Sequence, residues 1–366
     1  MRLYRSIRSA HLERAHDLAP ATILYSEKRY DFDDALTTGL DLIRTGPVRG
    51  ALLLARSRVT TLEINEPLML DSLMTSVLAI AALAWRRLLG KPRTSVVTYA
   101  IDNADPFSRV AGTRFRTRVR RRIERVLARF VWRRVDRVAF GTSAAQETYE
   151  TVLGEVGLRS SAMVIPALPA PWPASNEQRR IDGRVVFLGA FSERKGIRVL
   201  LDAWPLVREA RPEASLLIMG KGALKSDVLT TAAIWPGIEV EIDPARGRIH
   251  DRLDEARVLV LPSQPTPTWR EQVGLPIVEG LSHGLSIVTT EQTGLAEWLV
   301  GNKHYVVADA GSADELAKQI IRAIDEQRRP SDIVASLPRT DGRISADGWL
   351  FSRVPTISDL TRVFTG

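Results

Sequence analysis

The chain has 366 residues, no cysteine and a formal net charge of +8. That length accommodates two domains of roughly 170 residues, each with its own core. The lack of cysteine excludes disulfides, thiol nucleophiles and thiolate metal sites, and fits a reducing compartment. The charge is concentrated, because Thr113 to Arg137 holds eleven Arg against Glu124 and Asp136 while the rest of the chain nets −1.

The start, Met1-Arg2-Leu3-Tyr4-Arg5-Ser6, has neither an apolar core nor a small-residue cleavage site, so no secretory leader is expected. After this polar start, Ala21 to Tyr25, Arg49 to Ala55 and Val59 to Ile64 read as strands, and 71–89 as a helix. Within that helix Val77 to Trp85 is the longest apolar stretch, far short of the roughly 20 residues that span a bilayer. Ser95 to Tyr99 is another strand. Next comes the arginine segment, a basic amphipathic helix in which Phe115, Val119, Ile123, Val126, Leu127 and Phe130 form one stripe and Arg114, Arg118, Arg121, Arg122, Arg125 and Arg129 the adjoining one. Arg137 to Phe140 makes a short strand, with Ser143 as the N-cap candidate of the following helix.

The proline cluster from Pro166 to Asn176 reads as a stiff connector. A second alternating series follows it. Strands are expected at Val185 to Gly189, Ser215 to Gly220, Ile238 to Ile242 and Val258 to Leu261, with helices over 197–209 and near 247–256. Strand and helix alternate in both halves, which predicts an α/β chain of two Rossmann-like, doubly wound domains. The expected limits are 1–170 for the first domain, 171–182 for a linker and 183–349 for the second.

The segment from Pro262 to Gly280 is the most informative. A Pro-rich loop leaves the last of those strands and ends in Gly274-Leu275-Pro276, with Pro276 near the first position of a helix, where its preset φ suits it and its missing N–H costs nothing. The free amides around Gly274 and Leu275 and the helix dipole make a diphosphate site. Glu271 precedes the helix and Glu279 lies almost a turn inside it, so the two carboxylates can reach the sugar and ribose ends of one extended ligand. Upstream, Leu188-Gly189-Ala190-Phe191-Ser192-Glu193-Arg194-Lys195-Gly196 carries two adjacent cations from a strand end into a helix, where they would neutralise a leaving diphosphate. Gly220-Lys221-Gly222 repeats a strand-to-glycine turn. The histidines at 11, 16, 250, 283 and 304 show no metal-ligand spacing.

In this order, from Pro262-Ser263 through Glu271, Gly274-Leu275-Pro276 and Glu279 to Gly284, then Ile287 to Thr290 and Gly294-Leu295-Ala296-Glu297, the motifs resemble those of family 4 glycosyltransferases of the GT-B fold. The resemblance implies two domains facing a cleft, a final helix crossing back to the first domain (350–366 here), and retention of anomeric configuration without a metal. It implies that Lys195 contacts the nucleotide phosphates; Ala190 stands where the family often has arginine, and Arg194, close by in sequence, would substitute for it. Glu271 would hold the donor sugar, Glu279 the ribose, and Gly189, Gly220, Gly222, Gly274 and Leu275 would shape the donor pocket. The resemblance covers roughly 138–300 plus the tail; in the first half the family's glycine pair and histidine are missing, and Asp102 and Asn103 are the acceptor-side candidates.

The expected function is transfer of a sugar from a UDP, GDP or dTDP sugar to a hydroxyl acceptor, a lipid-linked sugar in polysaccharide, glycolipid or cell-envelope synthesis, with no cofactor. Arg118, Arg121, Arg122, Arg125, Arg129 and Trp132 would meet an anionic membrane, giving a cytoplasmic protein peripheral on the inner face of the cell membrane. The alternatives are an apolar stripe that packs on the first sheet beneath a solvated arginine face, a non-catalytic protein that binds membrane or nucleic acid through the same helix, and a sugar-nucleotide epimerase of the same fold.

Overall fold

The computed structural model describes residues 1–29, 32–108, 115–155, 157, 160–173, 177–266 and 269–352. The first half runs β1 (Arg2–Ile7), α1 (Ser9–Asp17), β2 (Ile23–Lys28), β3 (Leu42–Arg44), α2 (Pro47–Arg56), β4 (Thr61–Glu63), α3 (Leu73–Leu88), β5 (Ser95–Ala100), α4 (Phe115–Trp132), β6 (Arg137–Phe140), α5 (Ser143–Leu153) and β7 (Ser161–Val164). The second runs β8 (Arg184–Leu188), α6 (Ile197–Ala210), β9 (Ser215–Gly220), α7 (Lys225–Ile234), β10 (Ile238–Ile242), α8 (Arg246–Glu255), β11 (Val258–Leu261), α9 (Leu275–Ser282), β12 (Ser286–Thr290), α10 (Ala296–Gly301), β13 (Tyr305–Val307) and α11 (Ala313–Glu326), followed by α12 (Pro330–Ala335) and α13 (Gly342–Phe351).

The strands form a seven-stranded sheet in the order β3-β2-β1-β4-β5-β6-β7 and a six-stranded sheet in the order β10-β9-β8-β11-β12-β13, with parallel pairings throughout. Both are doubly wound, as the alternation predicts. Val185 to Leu188 and Val258 to Leu261 are buried without a break, because helices cover both faces of a parallel sheet. In each sheet the strand order reverses beside the first strand, between β1 and β4 and between β8 and β11. Ligands of such sheets bind outside the carboxyl ends of the strands at that point.

Four local readings change. Arg49 to Ala55 lies in helix α2 instead of a strand: Pro47 occupies its first turn, and Gly50 and Leu54, one turn apart, are buried while Leu52 is exposed. The polar start is β1, an interior strand of the first sheet, because Arg2 is neutralised inside the protein by Glu63 and Asp347. Thr142, not Ser143, caps α5, its hydroxyl accepting from Ala145 N at 3.0 Å. The return to the first sheet begins at Gly342, ahead of the expected 350, and the part of that tail beyond Ser352, like Ala174 to Asn176 of the connector, lies outside the described residues.

Helix α13 is held to the first sheet in two ways. Ala346 and Leu350 pack on Val97 and Ala139 of β5 and β6. Arg343 and Asp347, one turn apart, join Arg2 and Glu63 in a buried, electrically balanced quartet: Asp347 lies 2.6 Å from Arg2 and 3.3 Å from Arg343, and Glu63 bonds both arginines.

The arginine helix α4 departs from the packing alternative and, at Trp132, from the expected membrane contact. Its buried side is Ala128, Val131 and Trp132, whereas Phe115, Val119, Ile123 and Val126 of the apolar stripe are 72%, 43%, 56% and 62% exposed. The stripe over these four residues therefore does not pack on the sheet. Trp132 is not at an exposed end: its indole N–H donates to Gly154 O at 2.9 Å, and its ring packs on Phe140 and Tyr149. Arg125 reaches Asp105 at 3.6 Å and covers the Phe107 ring, and Arg129 donates to Val152 O at 3.4 Å. Arg118 and Arg122 point to solvent, Arg121 lies half-buried, and Arg114 is outside the described residues.

Candidate donor site at the crossover of the second sheet

The loops after β8 and β11 flank the crossover of the second sheet, and they bring Lys195 and Glu271 into contact. Lys195 Nζ donates to Glu271 Oε2, and Ser263 Oγ donates to the same oxygen at 3.0 Å; both charged side chains are nearly buried. Gly196 allows this approach. It stands at φ +69°, and a Cβ there would lie 1.8 Å from Pro262 O, so only glycine lets the lysine loop lie against the glutamate loop. Arg194 is exposed, with its guanidinium over the Trp269 ring at 4.8 Å and Lys195 Nζ over the same ring at 5.7 Å. Ser263 and Trp269 are therefore part of the site. Neither carries a signal in the sequence beyond lying in the motif, and Pro267 and Thr268 of that loop lie outside the described residues.

Helix α9 begins at Leu275 with Pro276 in its first turn, and Gly274 caps it at φ +83°. Leu275 is exposed and Glu279, one turn in, is half-buried. Burial raises the Glu279 carboxyl above its ordinary value; Arg246, 3.8 Å away, works against that rise and Glu13 adds to it. Arg246 also lies 3.9 Å from Glu13, so one arginine bridges α1 of the first half to Glu279. Gly189 follows β8 and Gly220 ends β9, so close together that a Cβ on Gly220 would lie 1.9 Å from Gly189 O; Gly222 similarly abuts the Phe191 backbone. These glycines let the two loops stack beside Lys195.

Asp102 and Asn103, in the loop after β5, touch the glutamate loop of the second half. Asn103 Nδ2 donates to Glu271 O at 2.9 Å, and Gln272 Nε2 donates to Asp102 Oδ1. Burial raises the Asp102 carboxyl, with the Gln272 hydrogen bond opposing. Lys195, Glu271, Asp102 and Asn103 thus belong to one contiguous region, with Glu279 one helical turn from Gly274, whereas the α4 arginines lie outside it. Two histidines that look unrelated in the sequence also meet. His283 Nδ1 bonds Asp254 at 2.7 Å, the two rings of His250 and His283 are linked at 3.0 Å, and Trp172 stacks on His250.

Residues 182–326 match the family described as glycosyl transferases group 1. The chain is 26% identical over 144 residues to the amylovoran biosynthesis glycosyltransferase AmsK of Erwinia amylovora, covering 38% of this chain and 35% of that one. It is 29% identical over 178 residues to the O-antigen chain mannosyltransferase B of Escherichia coli, covering 46% and 42%. The chain thus spans well under half the length of these curated relatives. HepE of Anabaena, solved in complex with UDP, superposes over 100% of both chains with a TM-score of 0.61 at 15% identity. The chain has the GT-B fold. In this GT-B arrangement the family match spans the whole second sheet, from β8 through β13, and so includes Lys195, Glu271 and Glu279.

Proposed function

We propose that this chain is a metal-independent, retaining glycosyltransferase resembling family 4, which moves a sugar from a nucleotide diphosphate sugar to a hydroxyl acceptor. The observation that carries the reading is the Lys195 and Glu271 contact at the crossover of the second sheet, in a fold whose neighbour HepE was solved with UDP. Lys195, with Arg194 beside it, takes the diphosphate, and the amides at Gly274 and Leu275 share that charge as it develops on the leaving group. The diphosphate then competes with Glu271 for the lysine and frees that carboxylate to accept hydrogen bonds from donor-sugar hydroxyls. Glu279 accepts from the ribose. Asp102 and Asn103 border the acceptor side, and closure of the cleft excludes water that would hydrolyse the donor. The proposed limits are 1–170 for the acceptor domain with the tail packed on it, 171–182 for the linker and 183–349 for the donor domain, less the part of α13 that lies on the first sheet.

The test is calorimetric titration with UDP, GDP, dTDP and ADP of the wild type, Lys195→Ala and Glu279→Ala. Micromolar binding of one nucleotide, weakened by both substitutions, supports the pocket and names the donor class; absence of binding to all four overturns it.

A lipid-linked acceptor at an anionic membrane is favoured by a separate observation, the exposed apolar row Phe115, Val119, Ile123 and Val126 set among arginines. Such a row inserts beneath the headgroups while the flanking arginines meet lipid phosphates, each contributing on the order of 1 kcal/mol. Among the described residues no helix is long and apolar enough to cross a membrane. Peripheral attachment to the inner face of the cell membrane through α4 is the corresponding arrangement, with Trp132 serving the core of the domain instead of the lipid.

A further inference from the structure

We infer that Glu66 is a positioning residue, which holds the 101–103 loop from beneath and thereby aims Asp102 and Asn103 across the cleft at the donor-site loop. The inference rests on the glycosyltransferase reading for its functional consequence, and on the structure alone for the anchoring.

Glu66 follows β4, at the crossover of the first sheet, and is 6% exposed. One of its carboxylate oxygens, Oε2, accepts from Ile101 N and Asp102 N, both at 2.9 Å, and from the Tyr149 hydroxyl at 3.1 Å. Tyr149 is itself fixed. It is buried within the aromatic cluster of Trp132 and Phe140, and its oxygen accepts from Leu68 N at 3.3 Å. Two consecutive backbone amides bound to one buried oxygen set the direction in which the chain leaves β5. From that backbone the next two side chains reach the other domain, Asp102 to Gln272 and Asn103 to Glu271 O. Glu271 is in turn the partner of Lys195. A contiguous path therefore runs from the core of the first domain to the donor site, and Glu66 is the only side chain on it that binds the loop by its main chain among the described residues.

A passive core carboxylate would not need to be charged or aimed. Here the charge is costly: burial, and then the negative charge of Asp102, push the Glu66 carboxyl up to about 8, with the two loop amides and Tyr149 opposing that rise. Burial and the charge of Asp102 thus disfavour the ionised form of the group that holds the loop, which faces Asp102 and Tyr149. Two consecutive amides of the 101–103 loop on one buried oxygen, itself fixed by Tyr149, are what point to positioning.

The test compares wild type, Glu66→Ala and Glu66→Gln by backbone amide hydrogen exchange, UDP calorimetry, and UDP-glucose turnover with p-nitrophenyl glucoside and mannoside as acceptor probes from pH 6 to 9. In Glu66→Ala, exchange at 101–103 accelerates by about tenfold or more and extends to 271–272, while the UDP dissociation constant stays within about twofold. Turnover falls by about tenfold or more. Glu66→Gln, which keeps an acceptor oxygen, restores most of the protection and loses the wild-type change in turnover across pH 8. Unchanged exchange at 101–103 in Glu66→Ala, or a Glu66→Gln profile that follows the wild type through pH 8, overturns the inference. If Glu66→Ala does not fold, Glu66→Gln and Tyr149→Phe are read by the same exchange and pH profiles. Wild type that binds no nucleotide defeats the glycosyltransferase reading, while the exchange result still decides whether Glu66 anchors the loop.

Discussion

Replacing Asp347 by Ala should unfold the junction between the C-terminal helix and the first sheet. Asp347 accepts from Arg2 through both of its oxygens, at 2.6 and 3.1 Å, lies 3.3 Å from Arg343, and also accepts from Ala19 N at 2.9 Å. Arg2, Glu63, Arg343 and Asp347 are all buried and their charges cancel. Without Asp347, two buried guanidiniums face the single carboxylate of Glu63. Breaking a buried pair from one side costs about 3 to 5 kcal/mol. The amide of Ala19, left without its acceptor, adds to that, though the terms share one network and do not sum. At about 1.4 kcal/mol per factor of ten, the folded-to-unfolded ratio of the affected domain falls by at least roughly two decades. Urea unfolding followed by tryptophan fluorescence reads this, since Trp349 lies on α13 and Trp132 on the buried side of α4. The pair Arg343→Met with Asp347→Leu keeps the core neutral through Arg2 and Glu63, and should recover more than half of the loss. Asp332→Ala, which breaks an exposed pair with Arg329, is the control and should be nearly silent. A loss below about 1 kcal/mol for Asp347→Ala, or a double variant no better than the single one, would refute the argument that charge balance holds α13 in place.

Gly196→Ala should lose at least about 2 kcal/mol of stability and abolish nucleotide binding, because its Cβ would strike Pro262 O in a left-handed backbone; thermal unfolding and calorimetry check both effects. His304 takes Ile287 N at 3.1 Å on Nδ1, and burial, with Arg328 adding, lowers its pKa from 6.5 to about 3. The unfolded chain therefore binds a proton that the folded one refuses, so stability is full above pH 6.5 and falls as pH drops toward 3, by up to about 1.4 kcal/mol per unit. His304→Gln should remove that slope from urea midpoints measured across the window. Charge reversal at Arg118, Arg122, Arg125 and Arg129 should abolish flotation with anionic vesicles, as should Ile123→Asp with Val126→Asp; flotation that persists in both excludes α4 as the membrane contact.

Much of the second half was legible because its information is local. Val258 to Leu261 is apolar throughout, as a strand buried on both faces must be, and Gly274-Leu275-Pro276 carries a helix start in three residues, so the loop bearing Glu271 could be read directly. Arg194, Lys195 and Gly196 were legible for the same reason, at the end of another such strand. The arginine helix was legible as a helix, since its amphipathic period is intrinsic to the chain. Which side it buries was not: Ala128, Val131 and Trp132 win because Phe140, Tyr149 and Gly154 stand opposite them, and those neighbours come from elsewhere in the chain.

Tertiary structure decided the rest wherever a polar side chain depends on a distant partner. Arg2 belongs to a central strand only because Glu63 and Asp347, distant in sequence, balance its charge, and the apolar run of α2 becomes a helix because α3 offers it a surface. The contact between Lys195 and Glu271 spans 76 positions and requires the parallel order β8-β11 to bring their loops together. Glu66 carries no signal of its own: its role exists only where β4 and β5 lie side by side and two loop amides turn toward it. Residue types and their periods determine which elements form; the pairing of elements determines which charges are buried, and so which side chains meet in the cleft.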